Sequence, residues 1–369
     1  MLEEKIDYNA PLESEEKIYE LIIEDLKFAE TNLPVLYTEA PFGRNGINIA
    51  VSEGAAKAAL SYVYMCMAGW PLNKGNDYYK LAAEKAEEVI DATDKHTYYY
   101  KLLDEYKQVH SIAYNYNNPE VLLGIYYNRD RTPNSIPLTD IPQDVIQNGW
   151  GDTNGEIKFW KEFPEGPRKD ATYMPKIILA DGKLHDWWDD PSNQREVVAP
   201  IFMKTVESAT RGQDFNYEDP TALPANGEKT IQVIRLSQVY CWFAEATARQ
   251  GQVTPKAVEM LNRVRNRADG EKTNRYSTSL SADELAEAAY NEHGWEMAGY
   301  YWAGFACRAR DMFRMYRFKD HFEYRKNNPE IDVAEGVKRK EKVSVTGTWD
   351  DSKMYAPYPY EDAILNPNL

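Results

Sequence analysis

The sequence lacks the long apolar runs and the excess of basic residues that mark membrane-spanning and nucleic-acid-binding proteins. No apolar run approaches the roughly 18 residues that a helix needs to span a bilayer. The 43 basic and 59 acidic residues give a net charge of −16, which disfavours a surface that follows a phosphate backbone or binds anionic lipid through charge. Nucleic acid is therefore not expected as a partner.

Cysteine and histidine are also scarce, and neither occurs at a spacing that site chemistry requires. Cys66, Cys241 and Cys307 are an odd number without metal-ligand spacing, so we expect buried thiols. The five histidines form no His-Glu-x-x-His motif, and neither Gly-x-Ser-x-Gly nor Gly-x-x-x-x-Gly-Lys occurs. We therefore expect no metal, no cofactor and no catalytic residues.

The clearest positive pattern is a helix hairpin in the second half of the chain. Apolar residues recur at helical spacing over 233–244, and Gly251 can end this helix in the left-handed conformation. Thr254 can cap a second helix with Pro255 at its first position, and a facing apolar stripe follows over 257–268. Such a pair cannot bury its own stripe, so further hairpins must stack against it, as in helical-repeat proteins.

Similar patterns occur elsewhere in the chain. Ser14 can cap an amphipathic helix, residues 50–92 read as a second hairpin in which Asp77 caps the later helix, and Ser281 opens a capping box. A short apolar run over 121–127, bounded by turn residues, indicates one of very few strands. The predicted fold class is mainly α, with stacked hairpins like those of tetratricopeptide repeats.

The middle of the chain has a different composition. Residues 128–229 hold ten of the twenty prolines and four of the nine tryptophans, without a helical stripe longer than a few turns. A loop-rich segment of this length on a rigid scaffold usually carries function. We expect helical hairpins ending in a short strand over 1–127, a loop-rich ligand-binding excursion over 128–229, further hairpins over 230–320 and a C-terminal extended segment over 321–369.

Several blocks resemble one known family in their order along the chain. The most specific is Arg-Leu-x-x-x-Tyr-x-x-x-Ala-Glu-Ala from Arg235, followed by Ala-x-x-x-Leu-Asn-x-Val-Arg-x-Arg-Ala ending at Ala268. Glu292-His-x-x-Glu-Met, Arg308-x-x-Asp-Met-Phe-Arg and Tyr358-Pro-Tyr follow, although the first has His where the family has Arg. Together these blocks resemble the SusD/RagB family of outer-membrane nutrient-binding lipoproteins, and with earlier blocks they cover most of the chain apart from 128–229.

The resemblance implies a function and a location. It predicts a cell-surface protein that captures oligosaccharide and delivers it to a SusC-like TonB-dependent transporter in the outer membrane. Residues 1–5 show no charged-then-apolar leader, and the lipoprotein signal, the anchoring cysteine and the first helices of the family are not found. We therefore expect an N-terminally truncated chain, whose membrane attachment would use a lipid that this sequence does not carry.

Aromatic rings in the excursion are the candidate ligand-binding groups. Flat rings exposed on loops can stack against the apolar faces of sugars, while neighbouring polar groups bond to the hydroxyls. The alternative for each ring is packing beneath its own loop, although at least one exposed ring is expected. The candidates are Trp150, Trp160, Tyr173, Trp187, Trp188 and Asp186.

Two other functions stay open. A helical-fold glycoside hydrolase would need a carboxylate pair, for which Asp186, Asp189 and Asp190 are the candidates, although their spacing also fits a polar turn. A repeat scaffold, or a SusD-like protein that takes peptide or protein as cargo, would bind no glycan. Charged residues inside helix stripes are assigned to structural ion pairs: Arg235, Glu245, Glu292, Glu296, Arg308, Asp311 and Arg314.

Overall fold

The structure is a computed structural model that describes residues 10–146, 149–191, 193, 195, 197–218, 227–299 and 307–368. Within these residues there are eleven α-helices and eight short strands. The helices are α1 (Glu15–Asn32), α2 (Glu53–Ala68), α3 (Asn76–Asp94), α4 (Ile157–Glu162), α5 (Pro167–Thr172), α6 (Leu236–Arg249), α7 (Pro255–Asp269), α8 (Ala282–Met297), α9 (Cys307–Arg314), α10 (Phe318–Asn327) and α11 (Tyr360–Leu365). The strands are β1 (Gly43–Arg44), β2 (Ile47–Asn48), β3 (Val121–Ile125), β4 (Ile177–Ile178), β5 (Leu184–His185), β6 (Ile231–Arg235), β7 (Glu330–Ala334) and β8 (Val337–Lys340).

Helix hairpins form a continuous stack. Helices α2 and α3 make one hairpin and α6 and α7 another, while α3 packs on α6, α8 packs on α6, and α1 packs on α2. Their facing stripes merge into one apolar core that runs through the stack. The predicted mainly helical, stacked architecture is confirmed.

Helix ends follow the capping residues with one exception. The hydroxyls of Ser14 and Thr254 accept backbone N–H groups at the starts of α1 and α7, and Gly251, after the end of α6, has a φ of 79°. The prediction for Asp77 is wrong, because α3 begins at Asn76, with Gly75 at the N-cap, two residues earlier than a cap at Asp77 would place it. Gly75 has a φ of 64°, a conformation that glycine adopts without strain, and Asp77 lies inside the first turn.

The excursion leaves and rejoins the helical stack at a single strand pair. Strand β3 pairs antiparallel with β6, so that Val121 faces Arg235 and Ile125 faces Ile231. Because β3 precedes residues 128–229 and β6 follows them, both ends of the excursion are held at one place. The short helices α4 and α5, of six residues each, lie within it.

A buried network of ion pairs joins this strand pair to the helices. Arg235 Nη1 lies 3.1 Å from Glu120 Oε1 and 2.9 Å from Glu296 Oε1, and Arg267 Nη1 lies 2.8 Å from Glu120 Oε2. All four side chains are almost completely buried. Burial alone would raise the pKa of Glu296, but three neighbouring guanidinium groups hold this pKa well below its usual value. Glu296 therefore stays ionised in the core.

The same network fixes the excursion onto the stack. Arg168 belongs to α5, and its Nη1 lies 2.8 Å from Glu292 Oε2 and 3.2 Å from Glu296 Oε2 on α8. A second cluster of ion pairs joins α9 to α6, where Arg314 contacts Glu245 at 2.6 Å and Asp311 at 2.9 Å. The assignment of these carboxylates and guanidinium groups to structure is supported by their burial and pairing. Arg308 is the exception among the residues assigned to structural ion pairs, and it is described with the candidate site below.

The end of the chain is more structured than expected. Residues 321–369, expected as one extended segment, contain most of α10, the antiparallel hairpin β7–β8 and the short helix α11. Ile331 of β7 packs into an apolar cluster with tryptophans of the excursion, which gives the hairpin a buried face.

Among the described helices, none is both long enough and apolar enough to cross a membrane. The three cysteines are free, with Cys241 and Cys307 buried.

Lys229, just before β6, provides a pH-dependent test of the fold. Burial lowers the pKa of its ammonium group to about 8, although Asp214 and Glu207 act against the shift. Between pH 8 and 10 the unfolded chain therefore binds more protons at this residue than the folded chain does. The free energy of unfolding of the wild type should consequently rise over this window, relative to Lys229→Met, by about 2 kcal/mol.

Urea unfolding of both proteins at pH 8 and pH 10 measures this difference. Other groups that titrate in the window, such as the buried thiols, are present in both proteins and cancel in the comparison. A difference between the two proteins that does not change with pH would contradict the burial of an ammonium group at this position.

Candidate functional site

Three of the predicted tryptophans form one cluster in the excursion. The ring centroids of Trp160 and Trp187 are 5.2 Å apart, those of Trp160 and Trp188 are 5.6 Å apart, and those of Trp187 and Trp188 are 5.3 Å apart, all edge to face. Trp187 is only 2% exposed and packs with Ile157 and Ile331, whereas Trp160 and Trp188 are half-buried at the edge of the cluster. Lys169 Nζ lies 4.3 Å from the Trp160 centroid.

The two remaining predicted rings differ completely in exposure. Trp150 is 53% exposed, so it presents a large indole surface to solvent. Tyr173 is 2% exposed and stacks on Phe202 at a centroid distance of 4.9 Å. For Tyr173 and Trp187 the alternative of a packed ring therefore applies, because each is buried against other aromatic side chains of the excursion. Trp150, Trp160 and Trp188 keep surface that a ligand can reach.

Asp186 lies in a polar turn. Its Oδ1 is 2.6 Å from Lys176 Nζ, and its backbone N–H donates to Asp189 Oδ2 at 3.1 Å. Asp190 accepts the backbone N–H of Arg195 at 3.3 Å. The carboxylates that were candidates for an acid–base pair are thus engaged in local contacts, as the polar-turn alternative predicts.

A cleft of about 590 Å³ lies where the excursion meets the helical stack. The excursion contributes Asn154 and Phe159, α8 contributes Tyr290, and α10 contributes His321 and Tyr324. The volume falls within the range of about 300–1,000 Å³ that small-molecule sites usually have. Aromatic rings and polar groups thus converge on one concave surface beside the excursion.

Two residues that line this cleft carry buried polar atoms. Among the residues that the structure describes, neither the Tyr290 hydroxyl nor Asn154 Oδ1 has a hydrogen-bond partner, and both atoms are almost inaccessible to solvent. Burial raises the pKa of Tyr290, so its hydroxyl remains protonated. A buried donor or acceptor without a partner destabilises a protein.

Arg308 adds a cation to the cleft, whose lining also includes Glu156, Glu162 and Asp320. Its guanidinium carbon lies 4.1 Å from the Tyr290 centroid and 5.6 Å from the Phe159 centroid, and it donates to the Tyr290 carbonyl at 3.3 Å. No carboxylate among the described residues lies within 4 Å of it. The prediction of a buried ion pair for Arg308 is therefore wrong, since a half-buried side chain on aromatic rings can remain charged without one.

The described residues also give no arrangement that suggests metal binding. In this part of the chain, no group of three or more His, Cys, Asp or Glu side chains is placed to hold a metal ion. Aromatic, polar and charged side chains line the described cleft.

Comparisons with known proteins identify the fold family. Residues 204–369 match the model of the SusD family. The resemblance to the SusD/RagB family is confirmed. A SusD-like protein of Bacteroides ovatus is 24% identical over an alignment that covers 97% of this chain and 66% of that protein. This chain thus spans slightly less than two thirds of that relative's length.

Solved structures show the same SusD-like fold over nearly the whole chain. A SusD-like carbohydrate-binding protein from Bacteroides fragilis superposes with a TM-score of 0.71 at 15% identity, covering 98% of this chain and 72% of that one. Surface glycan-binding protein A from Bacteroides thetaiotaomicron gives a TM-score of 0.62 at 17% identity, covering 96% of this chain and 69% of that one. At these identities the comparison concerns the fold alone.

Sequence reasoning missed the residues that line the cleft. Phe159 and Tyr324 are aromatic residues without a distinguishing motif, and they lie on α4 and α10, which are far apart in the sequence. Tyr290 is buried, which is the ordinary position of a tyrosine in an amphipathic helix. The two-residue connection Glu335-Gly336 indicates the β7–β8 hairpin, although it does not indicate where that hairpin packs.

Proposed function

We propose that this SusD-like protein captures oligosaccharide at the cell surface and delivers it to a TonB-dependent outer-membrane transporter without cleaving it. The observation that carries the proposal is the cleft beside the excursion, which is lined by aromatic rings together with polar and charged side chains. Sugars present apolar ring faces and hydroxyl edges together, which matches this combination. The name of surface glycan-binding protein A, a structural neighbour, supports the same function.

Trp150 extends the proposed binding surface outside the cleft. It is four residues before Asn154, and Trp160 and Trp188 present further ring edges on the same excursion. We propose that a bound chain of sugars stacks on Trp150 and enters the cleft with one end. Asp186 would then serve as a hydrogen-bond acceptor at the edge of this surface.

Replacement of Trp150 tests the stacking contact. We expect Trp150→Ala to raise the Kd for a retained polysaccharide about tenfold, because loss of a ring contact costs about 1 to 1.5 kcal/mol. Affinity electrophoresis through gels that contain a panel of polysaccharides gives the Kd of each variant. The matched control is Tyr360→Ala on α11, since Tyr360 is 79% exposed and lies outside the excursion.

The results separate the proposed function from its rivals. Retardation that Trp150→Ala weakens and Tyr360→Ala leaves unchanged supports glycan capture at the excursion. Release of reducing sugar from a retained polysaccharide, lost in Asp186→Asn or Asp189→Asn, would replace capture by hydrolysis. Absence of retardation by every polysaccharide would favour the scaffold or peptide-cargo alternatives. Co-purification with an outer-membrane transporter from a native host would test the delivery step.

A further inference from the structure

Basic residues are concentrated on one strand of this acidic chain, the second strand of the β7–β8 hairpin, whose first strand is acidic. Residues 337–342 read Val-Lys-Arg-Lys-Glu-Lys, four cations and one carboxylate, in a protein whose net charge is −16. This segment forms β8 and its continuation. Between it and the end of α10 lies a second cleft, of about 480 Å³, which we call the basic cleft. Its charged lining residues are Arg325, Lys326, Lys340, Lys342 and Glu341.

The carboxylates nearby neutralise this charge only partly. The side chain of Lys340 is 72% exposed and its single ion-pair partner, Glu330, is 3.6 Å away, a geometry that contributes little in solvent. Throughout the described part of the chain, no carboxylate lies within 4 Å of Lys326, Arg339 or Lys342. The lining of the basic cleft thus holds four cations and one carboxylate, and Arg325 has a carboxylate neighbour in Glu156 at 3.9 Å.

The one carboxylate in the lining is turned away from this charge. Glu341 Oε1 accepts the backbone N–H of Ile157 at 2.8 Å and that of Lys158 at 3.3 Å. These bonds attach the hairpin to the first turn of α4 in the excursion. The acidic member of the segment thus bonds to the backbone of the excursion, and the exposed ammonium group of Lys340 faces solvent.

The β7–β8 hairpin is joined to the aromatic surface proposed to bind glycan. Lys342 Nζ donates to the carbonyl of Gly151 at 3.3 Å, next to the exposed ring of Trp150. Arg339 Nε donates to the carbonyl of Trp188 at 2.7 Å. A ligand that stacks on Trp150 therefore lies beside the cations of the hairpin.

We propose that the ligand of this surface is an acidic polysaccharide, whose carboxylate or sulfate groups contact Lys340 and Lys342 in the basic cleft while a sugar ring stacks on Trp150. This inference rests on the proposed glycan-binding function and adds the chemical class of its ligand. A chain of net charge −16 repels polyanions as a whole, so local attraction at one cleft is needed to bind one. The same overall charge disfavours a nucleic acid, which would require contacts along a longer basic surface.

Matched polysaccharides that differ only in charge test the inference. Dextran sulfate is compared with dextran, and polygalacturonate with its methyl ester, by affinity electrophoresis of the full chain. We expect retardation by the charged member of at least one pair, tighter by about tenfold or more than by its neutral member, and weakened by added salt. The pair that responds shows whether sulfate or carboxylate is recognised.

Reversing the charge of two lysines tests whether the basic cleft is the surface that binds the charged polysaccharide. We expect Lys340→Glu combined with Lys342→Glu to raise the Kd for the charged polysaccharide about tenfold or more, since attraction is replaced by repulsion. The control is Lys80→Glu combined with Lys95→Glu on α3, two exposed lysines whose reversal changes the net charge equally. Thermal unfolding of both double variants shows that each is folded.

Each outcome has a defined meaning. Loss of charged-polysaccharide binding in the hairpin variant alone supports the inference. If the protein binds the charged and the neutral polysaccharide of a pair equally well, and Trp150→Ala weakens both, the proposal of an acidic ligand is overturned. The proposal of glycan capture then still stands. Equal loss in both double variants, or equal binding of single-stranded DNA, overturns a specific site in favour of general charge attraction. No retardation by any polysaccharide contradicts both proposals.

Discussion

Glu296→Gln should lower the free energy of unfolding by about 3–5 kcal/mol, because it removes the charge that several buried guanidinium groups share. Arg235, Arg267 and Arg168 all contact the Glu296 carboxylate, and each is nearly inaccessible to solvent. Loss of this negative charge leaves cations in a core where water cannot compensate them. Urea denaturation followed by far-ultraviolet circular dichroism measures the change at pH 7.

The control for this prediction is an exposed carboxylate in the same helical stack. Glu84 lies 3.9 Å from Lys80, and both side chains are more than half exposed, so Glu84→Gln should change the free energy of unfolding by less than about 0.5 kcal/mol. The difference between wild type and Glu296→Gln should also shrink as the pH falls below about 4.3, where the unfolded chain takes up a proton at Glu296. Similar stability losses for the two variants would contradict the buried network.

Trp187→Ala should destabilise the fold by about 3–5 kcal/mol, because it opens a cavity in a closely packed aromatic cluster. Trp187 is enclosed by the rings of Trp160 and Trp188 and by Ile331 of β7. The variant should mainly lose stability. The glycan affinity of its folded form should fall only if the excursion changes position. Thermal unfolding and affinity electrophoresis on the same sample separate these two effects.

Trp150→Ala is the natural comparison for that variant. Because Trp150 is largely exposed, its removal should leave the free energy of unfolding within about 0.5 kcal/mol of the wild type. The two tryptophans should therefore show opposite patterns, with stability lost at Trp187 and binding lost at Trp150. A Trp187→Ala protein of wild-type stability that no longer binds glycan would restore Trp187 as a ligand-contacting residue.

Local sequence features predicted the helical stack well. Capping at Ser14, Thr254 and Ser281 depends on contacts within a few residues, so these helix starts follow from the sequence alone. The charged residues within the stripes could also be assigned, since a buried charge requires a partner. The pairing of Arg168 with α8 was not predicted, because that arginine lies in the excursion without any periodic pattern around it.

The exposure of each ring in the excursion could not be read from the sequence. Whether Trp187 or Trp150 is covered depends on where Ile331 and the rest of β7 pack, and that hairpin comes nearly two hundred residues after Trp150. The same long-range packing creates both clefts, since Tyr324 and Arg325 meet the excursion only in the folded chain. Composition identified the functional segment, and tertiary contacts determined which of its residues face solvent.

Hydrogen–deuterium exchange with and without the most strongly retained polysaccharide tests the central claim most directly. Binding at the proposed surface should slow exchange of backbone amides in residues 149–162 and 318–342, because the ligand limits local opening there. Amides of α6 and α7, over 236–269, should change little by comparison. Protection confined to the helical stack, with no change in either segment of the proposed surface, would contradict the account.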